Sequence, residues 1–587
     1  MILQALKEYY DRKGEDPKSE MAPPGFEWKE IPFVIVLGTD GMPVSIEETY
    51  EGEGKNRSAK RFLVPQAVKK TSGIAANFFW DNPEYVLGVP LKGKPERVSK
   101  QHEAFKKRID DLGEVLDDGF SAIKTFLAKD NKEQLLQALG ECWTTLVKEG
   151  GNLTFRLAGD KNLIFERQGI RVQMAADSEE SREEDNGVCL VTGRDDVIQR
   201  LHPSIKGVYG AQSSGANIVS FNLDAFRSFN KNQGVNAPVG KSVVFAYTTA
   251  LNHLLSKGSR QRMQVGDAST VFWAEKATVF EKQFADFFGE SPKDDPDRGT
   301  QAVEGLFKSA DTGAFSAEEG AGNRFYVLGL SPNASRIAVR FWIVDTVAGM
   351  AGKIRRHFED MRIIHGPKDK DFLSLFLLLV STSAQGKAEN IPPNLAGDTI
   401  RSILQGLPYP QTLLQAAIRR LRAEHTVTHA RAALIKACIN RATRFKNPNV
   451  KEELTMSLDE NNTNIGYRLG RLFATLEKIQ QEANPGINAT IRDKFYGAAS
   501  GTPVAVFGNL MRLKNHHLSK LESPGRRIYF ERLIGRIIDG VNAGPGFPPH
   551  LSLDDQGRFA IGYYHQMQAF YAKKINDNEL TDKEEGR

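Results

Sequence analysis

The chain of 587 residues carries 78 Lys and Arg against 73 Asp and Glu, a net charge of +5, with 40% hydrophobic residues and 34 phenylalanines. That balance excludes a disordered chain and a uniformly cationic one, and predicts several packed domains on which any anion-binding face is local. The three cysteines, Cys142, Cys189 and Cys438, stand far apart with no CxxC, which argues against a cysteine zinc site or a disulfide framework and matches cytosolic usage.

The N-terminal Met1–Tyr10 reads as a short amphipathic helix and lacks the basic leader and long apolar stretch of a signal peptide. Ile31–Leu37 and Val44–Ile46 around Asp40-Gly41 read as strand, turn, strand. Lys100–Val147 is expected to be helical, and Leu153–Glu166 repeats the strand–turn–strand pattern. An acidic loop is expected over Glu179–Asn186. A second β segment follows at Val188–Val191, Ile218–Phe221 and Thr270–Trp273, with a helix over Val243–Leu255. Glu290–Arg298 reads as an exposed linker, and Arg324–Leu330 with Arg336–Trp342 as a strand pair. From about Asp345 the hydrophobic period becomes helical, with a break at Gly386–Pro393. The most apolar run, Phe372–Val380, falls far short of the ~20 residues of a membrane span and reads as a buried helix. The fold class is therefore α+β. A mixed α/β region with several small sheets (1–345) precedes a basic helical region (346–455) and a C-terminal helical bundle (456–587).

One stretch has little apolar material to bury: Arg200-Leu-His-Pro-Ser-Ile-Lys-Gly-Val-Tyr-Gly-Ala-Gln-Ser-Ser-Gly-Ala-Asn217. Its glycines allow close backbone approach and its side chains are mostly hydrogen-bonding types, the make-up of a surface loop that meets a polar polymer or a phosphate. Gly234-Val-Asn-Ala-Pro-Val-Gly240-Lys241-Ser242 brushes against a P-loop, but five residues separate its glycines where four are needed, and Pro238 supplies no N–H. No nucleophile elbow or HExxH is present, and His516-His517, Asp110-Asp111 and Asp117-Asp118 read as helix surface. No cofactor is expected. Between Arg401 and Lys446 nine Lys and Arg face a single acid, Glu424. On Gln411–Arg422 the apolar stripe Leu414, Ala417, Ile418 and Leu421 leaves Arg419, Arg420 and Arg422 on other faces. These arginines, with Arg431, Arg441 and Arg444 and a smaller stripe at Arg526, Arg527, Arg532 and Arg536, are expected to face phosphate.

Cys189-Leu-Val-Thr-Gly193, Arg200-Leu-His-Pro203, Ile205-Lys-Gly-Val208, Gly210-Ala-Gln-Ser-Ser-Gly-Ala216, Asn236-Ala-Pro238, Val271-Phe-Trp-Ala-Glu275, Phe325–Ala334 and Asn77-Phe-Phe-Trp-Asp-Asn82 resemble the large (Csd-type) subunit of the type I-C CRISPR Cascade surveillance complex. The resemblance runs over essentially the whole chain. It implies a cytoplasmic prokaryotic protein without catalytic activity. Such a subunit sits at the 5′ handle of the crRNA, beside the handle-processing subunit and near the backbone and small subunits. It recognises the protospacer-adjacent motif (PAM) in target double-stranded DNA, helps open the duplex, stabilises the R-loop, guides the displaced single strand and recruits the helicase–nuclease. No membrane is involved. The rival readings are a nucleic-acid-processing enzyme with an unrecognised metal site and a general single-strand-binding protein.

With the resemblance, Lys206, Gly207, Gln212, Ser213, Ser214 and Asn217 become the PAM candidates, and a glutamine can wedge at the first separated base pair. Lys69, Lys70, Thr71, Ser72 and Asn77 form a second group, which reads equally well as a helix N-terminus at Thr71 with surface lysines. The resemblance also implies that the small subunit is made from an internal start. Met456, after the purine-codable Lys451-Glu-Glu, is the candidate. The module that follows carries 15 Lys and Arg and 10 Asp and Glu up to Lys574.

Overall fold

The computed structural model describes residues 1–587 except 18, 53, 55–56, 69–72, 181–185, 290–294, 296, 313–321, 542–545 and 573–587. Lys69, Lys70, Thr71 and Ser72 lie outside the described residues, as does most of the expected linker at 290–298. The chain forms two compact units. One comprises Met1–Gly207, Gln212–His253 and Ala334–Arg336; the other comprises Val208–Ala211, Leu254–Asn333 and Ile337–Arg587.

The first unit opens with helix α1 (Ile2–Gly14). Its central strand, β1 (Phe33–Leu37), is buried at every position, as expected for a β-branched run covered on both faces. It pairs antiparallel with β2 (Pro43–Glu48) and parallel with β3 (Leu153–Leu157). Between these strands come α2 (Pro95–Asp110) and α3 (Asp118–Ala128), the latter capped by Asp117, which also binds Arg167 at 2.7 Å. Phe126 of α3 meets Phe155 of β3 edge-on at 5.9 Å. The second half of the expected 153–166 hairpin is a short 3-10 turn at Ile164–Glu166, and the chain from Gln168 to Glu180 is helical. Ile218–Phe221 is not a strand: only an isolated bridge from Asn217 to Arg336 flanks it, and the four residues stay half-exposed. Strand propensity fails where no neighbouring ladder exists to complete it. Helix α4 (Lys241–Leu254) supplies the buried Val243, Val244, Tyr247, Ala250 and Leu251.

The second unit builds a four-stranded sheet in the order β4 (Arg262–Val265), β5 (Ala268–Ala274), β6 (Arg324–Asn333), β7 (Arg336–Thr346). All seven residues of β5 are buried, and Phe272, Phe280, Phe284 and Phe325 interlock beside it. Helices follow, as the change of period predicts: α5 (Val347–Met361), α6 (Leu375–Thr382), α7 (Pro393–Gln405), α8 (Gln411–Glu424) and α9 (His429–Lys446), then α10 (Ile465–Ala483), α11 (Ile491–Gly501), α12 (Val504–Ser519), α13 (Pro524–Asp539) and α14 (Leu553–Tyr571). One hydrophobic core runs from β4 and β5 through to Tyr564. Helix α10 lies so close to α14 that a Cβ at Gly470 would strike the carbonyl oxygen of Phe559. Only glycine permits that backbone approach. Helix α9 is buried at eleven consecutive residues, Arg431–Arg441, so it is an interior helix enclosed on all faces. Among the described residues no helix is long and apolar enough to cross a membrane.

Candidate nucleic-acid interfaces

In the first unit the polar loop is built on two asparagine braces. Asn252 of α4 accepts from the Lys206 backbone N at 2.8 Å and donates to the Ser204 carbonyl at 3.4 Å. Asn217 donates from Nδ2 to the carbonyls of His202 (2.9 Å) and Pro203 (3.1 Å). Ile205 and Ala216 close a β-bridge between the two stems. A turn follows in which Gly215 N donates to Gln212 O at 2.9 Å. Gly215 has φ +89°, and a Cβ there would sit 2.7 Å from Ile205 O, so the glycine is a steric requirement. The result is a pinned turn that leaves Gln212, Ser213, Ser214, Lys206 and Gly207 exposed. Beneath it, His202 and Tyr247 form a buried pair at 2.6 Å.

Asn217 belongs to the scaffold of this turn, because its side-chain amide hydrogens are taken by loop carbonyls. Asn77 is also internal. It is 3% exposed, its Oδ1 accepts from Val68 N at 3.0 Å, and its own N–H donates to Asp81 at 3.1 Å. The segment Gly234–Ser242, whose spacing already fails as a P-loop, is held by its own bonds: Ser242 binds Asp196 at 3.1 Å, and Gly240 N donates to the Cys189 sulfur at 3.3 Å.

The basic helices of the second unit divide into two classes. Arg441 is 5% exposed and donates to the carbonyls of Leu407 (2.6 Å) and Ser402 (3.0 Å) and to the Tyr409 hydroxyl (3.2 Å). Arg444 binds both oxygens of Asp360 at 2.8 Å. Burial pushes the Asp360 carboxyl above its usual range, against the opposing pull of Arg444, Arg441 and Arg356. Arg431 pairs with Glu424 and donates to Ser381 O at 2.8 Å. Lys436, 1% exposed, pairs with Glu452 at 2.9 Å. The expectation that Arg431, Arg441 and Arg444 face phosphate is corrected: they are interior or half-buried groups whose donors hold neighbouring segments. An apolar helix stripe cannot distinguish them, because α9 is enclosed from Arg431 to Arg441 and is exposed only in its last turn, where Arg444 is held by Asp360.

Arg419, Arg422 and Arg532 are exposed, and none of the three has an ion pair among the described residues. Arg420 is half-buried against Glu424 at 3.3 Å, and Arg526 binds Glu482 at 2.7 Å. Arg527 is exposed, and donates to the carbonyls of Leu518 (3.1 Å) and Leu521 (3.4 Å). On α13 the core face carries Phe530, Leu533, Ile534 and Ile537. The opposite face lines a shallow concavity with Gly525, Ile528, Tyr529, Arg532 and Arg536, an aromatic among arginines that charge counting alone did not reveal. A second feature missed in sequence is the loop Asn222–Asn236, where Phe229 is fully exposed among amides and cations.

Met456 is half-exposed on the connector between α9 and α10, with its carbonyl accepting from Ile364 N at 2.8 Å. The connector is strapped down. Leu454 is fully buried, Asn440 bonds to Leu454 N and O at 2.8 and 2.7 Å, and Glu453 pairs with Arg558. Among the described residues no group of three or more His, Cys, Asp and Glu side chains is placed to hold a metal ion.

No curated protein matches the sequence. The family model described as CRISPR-associated protein (Cas_Csd1) matches it over residues 6–571. That span takes in the braced turn, the four-stranded sheet and every helix from α2 to α14, and the chain thus belongs to the Cas_Csd1 family of CRISPR-associated proteins.

Proposed function

We propose that this CRISPR-associated Cascade subunit is the large subunit of a type I-C complex, that it reads the PAM in duplex DNA and that it begins strand separation. The observation that most supports this reading is the turn Gln212–Gly215. It is fixed at its stems by Asn252 and Asn217 and presents Gln212, Ser213 and Ser214 to solvent beside Lys206. Short polar side chains on a rigid turn suit the sparse donor and acceptor pattern of a DNA groove, and the lysine suits its phosphates. Arg419, Arg422, Arg527 and Arg532, with Tyr529, are the groups assigned to the displaced strand. The crRNA, the handle-processing, backbone and small subunits, and the helicase–nuclease are the partners. The subunit recognises and positions DNA, and the helicase–nuclease cuts it.

The test is co-expression with the neighbouring CRISPR subunits, pull-down of the assembly, and binding to duplexes that differ only in the PAM. PAM-dependent capture is expected. PAM-independent affinity for any single strand favours a general single-strand-binding protein, and metal-dependent cleavage by the purified chain favours a nuclease. The reading includes an internal start at Met456. The resulting product, 456–587, would lack α8 and α9, whose Leu414 and Ile435 lie within 3.5 Å of a Cβ built on Gly557 of α14. It would need another apolar surface there. Recoding Met456→Leu in the intact gene is expected to abolish a small C-terminal fragment, and its persistence would refute the internal start.

A further inference from the structure

Beyond the braced turn the chain makes a second exposed loop, Asn222–Asn236, with one stem tied to Arg200 and the other to Arg336. Gly234 N donates to Arg200 O at 3.0 Å, and the Arg200 side chain donates to Gln233 Oε1 at 3.1 Å. A Cβ on Gly234 would collide with the carbonyls of Gln199 and Arg200. At the other stem the Arg336 guanidinium binds Asn222 and lies 4.5 Å over the Phe226 ring. Asn236 organises the interior. Its Oδ1 accepts from Ser228 N at 3.0 Å, and its Nδ2 donates to Lys231 O at 3.1 Å and Gln233 O at 3.0 Å.

At the tip Lys231 N donates to Ser228 O at 2.9 Å, and the two central residues both have positive φ, Phe229 at 50° and Asn230 at 57°. That is the sign pattern of a type I′ turn, which favours Asn, Asp and Gly and disfavours a bulky residue at its first central position. Phe229 occupies that position with 95% of its surface exposed. A loop that is internally hydrogen-bonded therefore holds a large aromatic in a disfavoured backbone conformation, in water.

We propose that Phe229 is the aromatic that enters the base stack where the target duplex is first parted. The assignment rests on the PAM-reading function proposed for the neighbouring turn and adds the residue that keeps the strands apart. Apolar wedges between base steps are a general means of unstacking a duplex. The surroundings fit DNA better than a protein partner. Ser228, Asn230, Lys231 and Asn232 flank the ring in sequence, and the loop's other exposed large hydrophobic residue is Leu223, two apolar side chains where the core of a protein interface takes a cluster. From residue 200 to 232 Arg200, Lys206, Arg227 and Lys231 stand against the single acid Asp224, a balance suited to phosphates on either side of an inserted ring.

The experiment uses the assembled complex with its crRNA and a PAM-bearing target labelled with 2-aminopurine at the first protospacer positions. Phe229→Asn is expected to slow the fluorescence rise of strand opening about tenfold, whereas Phe229→Trp stays within about twofold of wild type. On a target already unpaired at those positions all three proteins are expected to bind alike. Asn suits the backbone at this turn, so the melting temperature of Phe229→Asn is expected to equal or exceed that of wild type. Opening at the wild-type rate, equal loss on both targets, or failure of the variant to assemble overturns the assignment; the last outcome would make Phe229 a subunit contact. A PAM-swapped duplex separates the two levels. If the wild-type complex ignores the swap, the underlying reading fails. If it discriminates while Phe229→Asn opens normally, only the wedge fails.

Discussion

The Gln212–Gly215 turn and helix α9 are both rich in polar side chains, and they use them in opposite directions. In the turn, two asparagines and a bridge hold the backbone, so Gln212, Ser213 and Ser214 are left outward. In α9 the guanidinium of Arg441 and the ammonium of Lys436 are themselves the braces, buried at 5% and 1% exposure against carbonyls, a phenol and carboxylates. A cluster of cations in sequence is therefore evidence of a nucleic-acid surface only where the helix that carries it has a solvent face. Helix α8 does have one, at Arg419 and Arg422, and α9 has none from Arg431 to Arg441.

Removing a buried brace should produce the largest effect. Arg441→Met is expected to destabilise the second unit by about 3–5 kcal/mol, since the carboxylate and carbonyls it serves stay buried. Urea unfolding measures this. DNA affinity should follow only the folded fraction, with an unchanged salt slope. A stable variant with a flattened salt slope would mean that Arg441 reaches phosphate after all.

Acid should attack the same interior. His357 and His565 are buried, and burial, reinforced by Arg441 beside the first and Lys436 beside the second, pushes each pKa down to about 3. Unfolded histidine takes its proton near 6.5, so between about pH 6.5 and pH 3 the unfolded chain binds more protons than the native one. Stability is then fully present above pH 6.5 and falls as pH drops through that window, by about 1.4 kcal/mol per pH unit for each histidine. Thermal melts from pH 7.5 to 5 check this. His357→Gln is expected to flatten the acid limb, and an unchanged limb would show that burial does not hold His357 neutral in the native state.

Two neighbouring amides sharpen the contrast between brace and reader. Gln212→Ala should cost roughly 1–3 kcal/mol on PAM duplex and nothing on a pre-opened target. Asn217→Ala should weaken both targets equally and lower the melting temperature, because two loop carbonyls lose their donor. The smallest effect belongs to the exposed helix. Arg419→Glu with Arg422→Glu should change stability by no more than about 0.5 kcal/mol while reducing the salt slope by about 1 for each phosphate that is no longer neutralised.

Much of the architecture was legible in sequence. The buried strand at 33–37, the strand pair beginning at Arg324 and Arg336, and the change to helical period near Asp345 all follow from residue type and spacing. Ile218–Phe221 misled because strand propensity does not report whether a partner strand exists. The polar turn was visible through its composition, but the split between presented Gln212 and consumed Asn217 depends on where the Nδ2 donors point, which no spacing encodes. Asn77 misled for the same reason. Phe229 escaped notice because a lone aromatic between polar residues usually packs inward, and only the positive φ and full exposure mark it as displayed.

The most direct test of the central claim is the ratio of affinities of the assembled complex for duplexes with the correct and a swapped PAM, compared between wild type and Gln212→Ala. If the braced turn reads DNA, the ratio falls roughly tenfold or more in the variant while affinity for a pre-opened target is unchanged. An unchanged ratio in a folded, assembled variant would contradict the account and move PAM reading elsewhere in the chain.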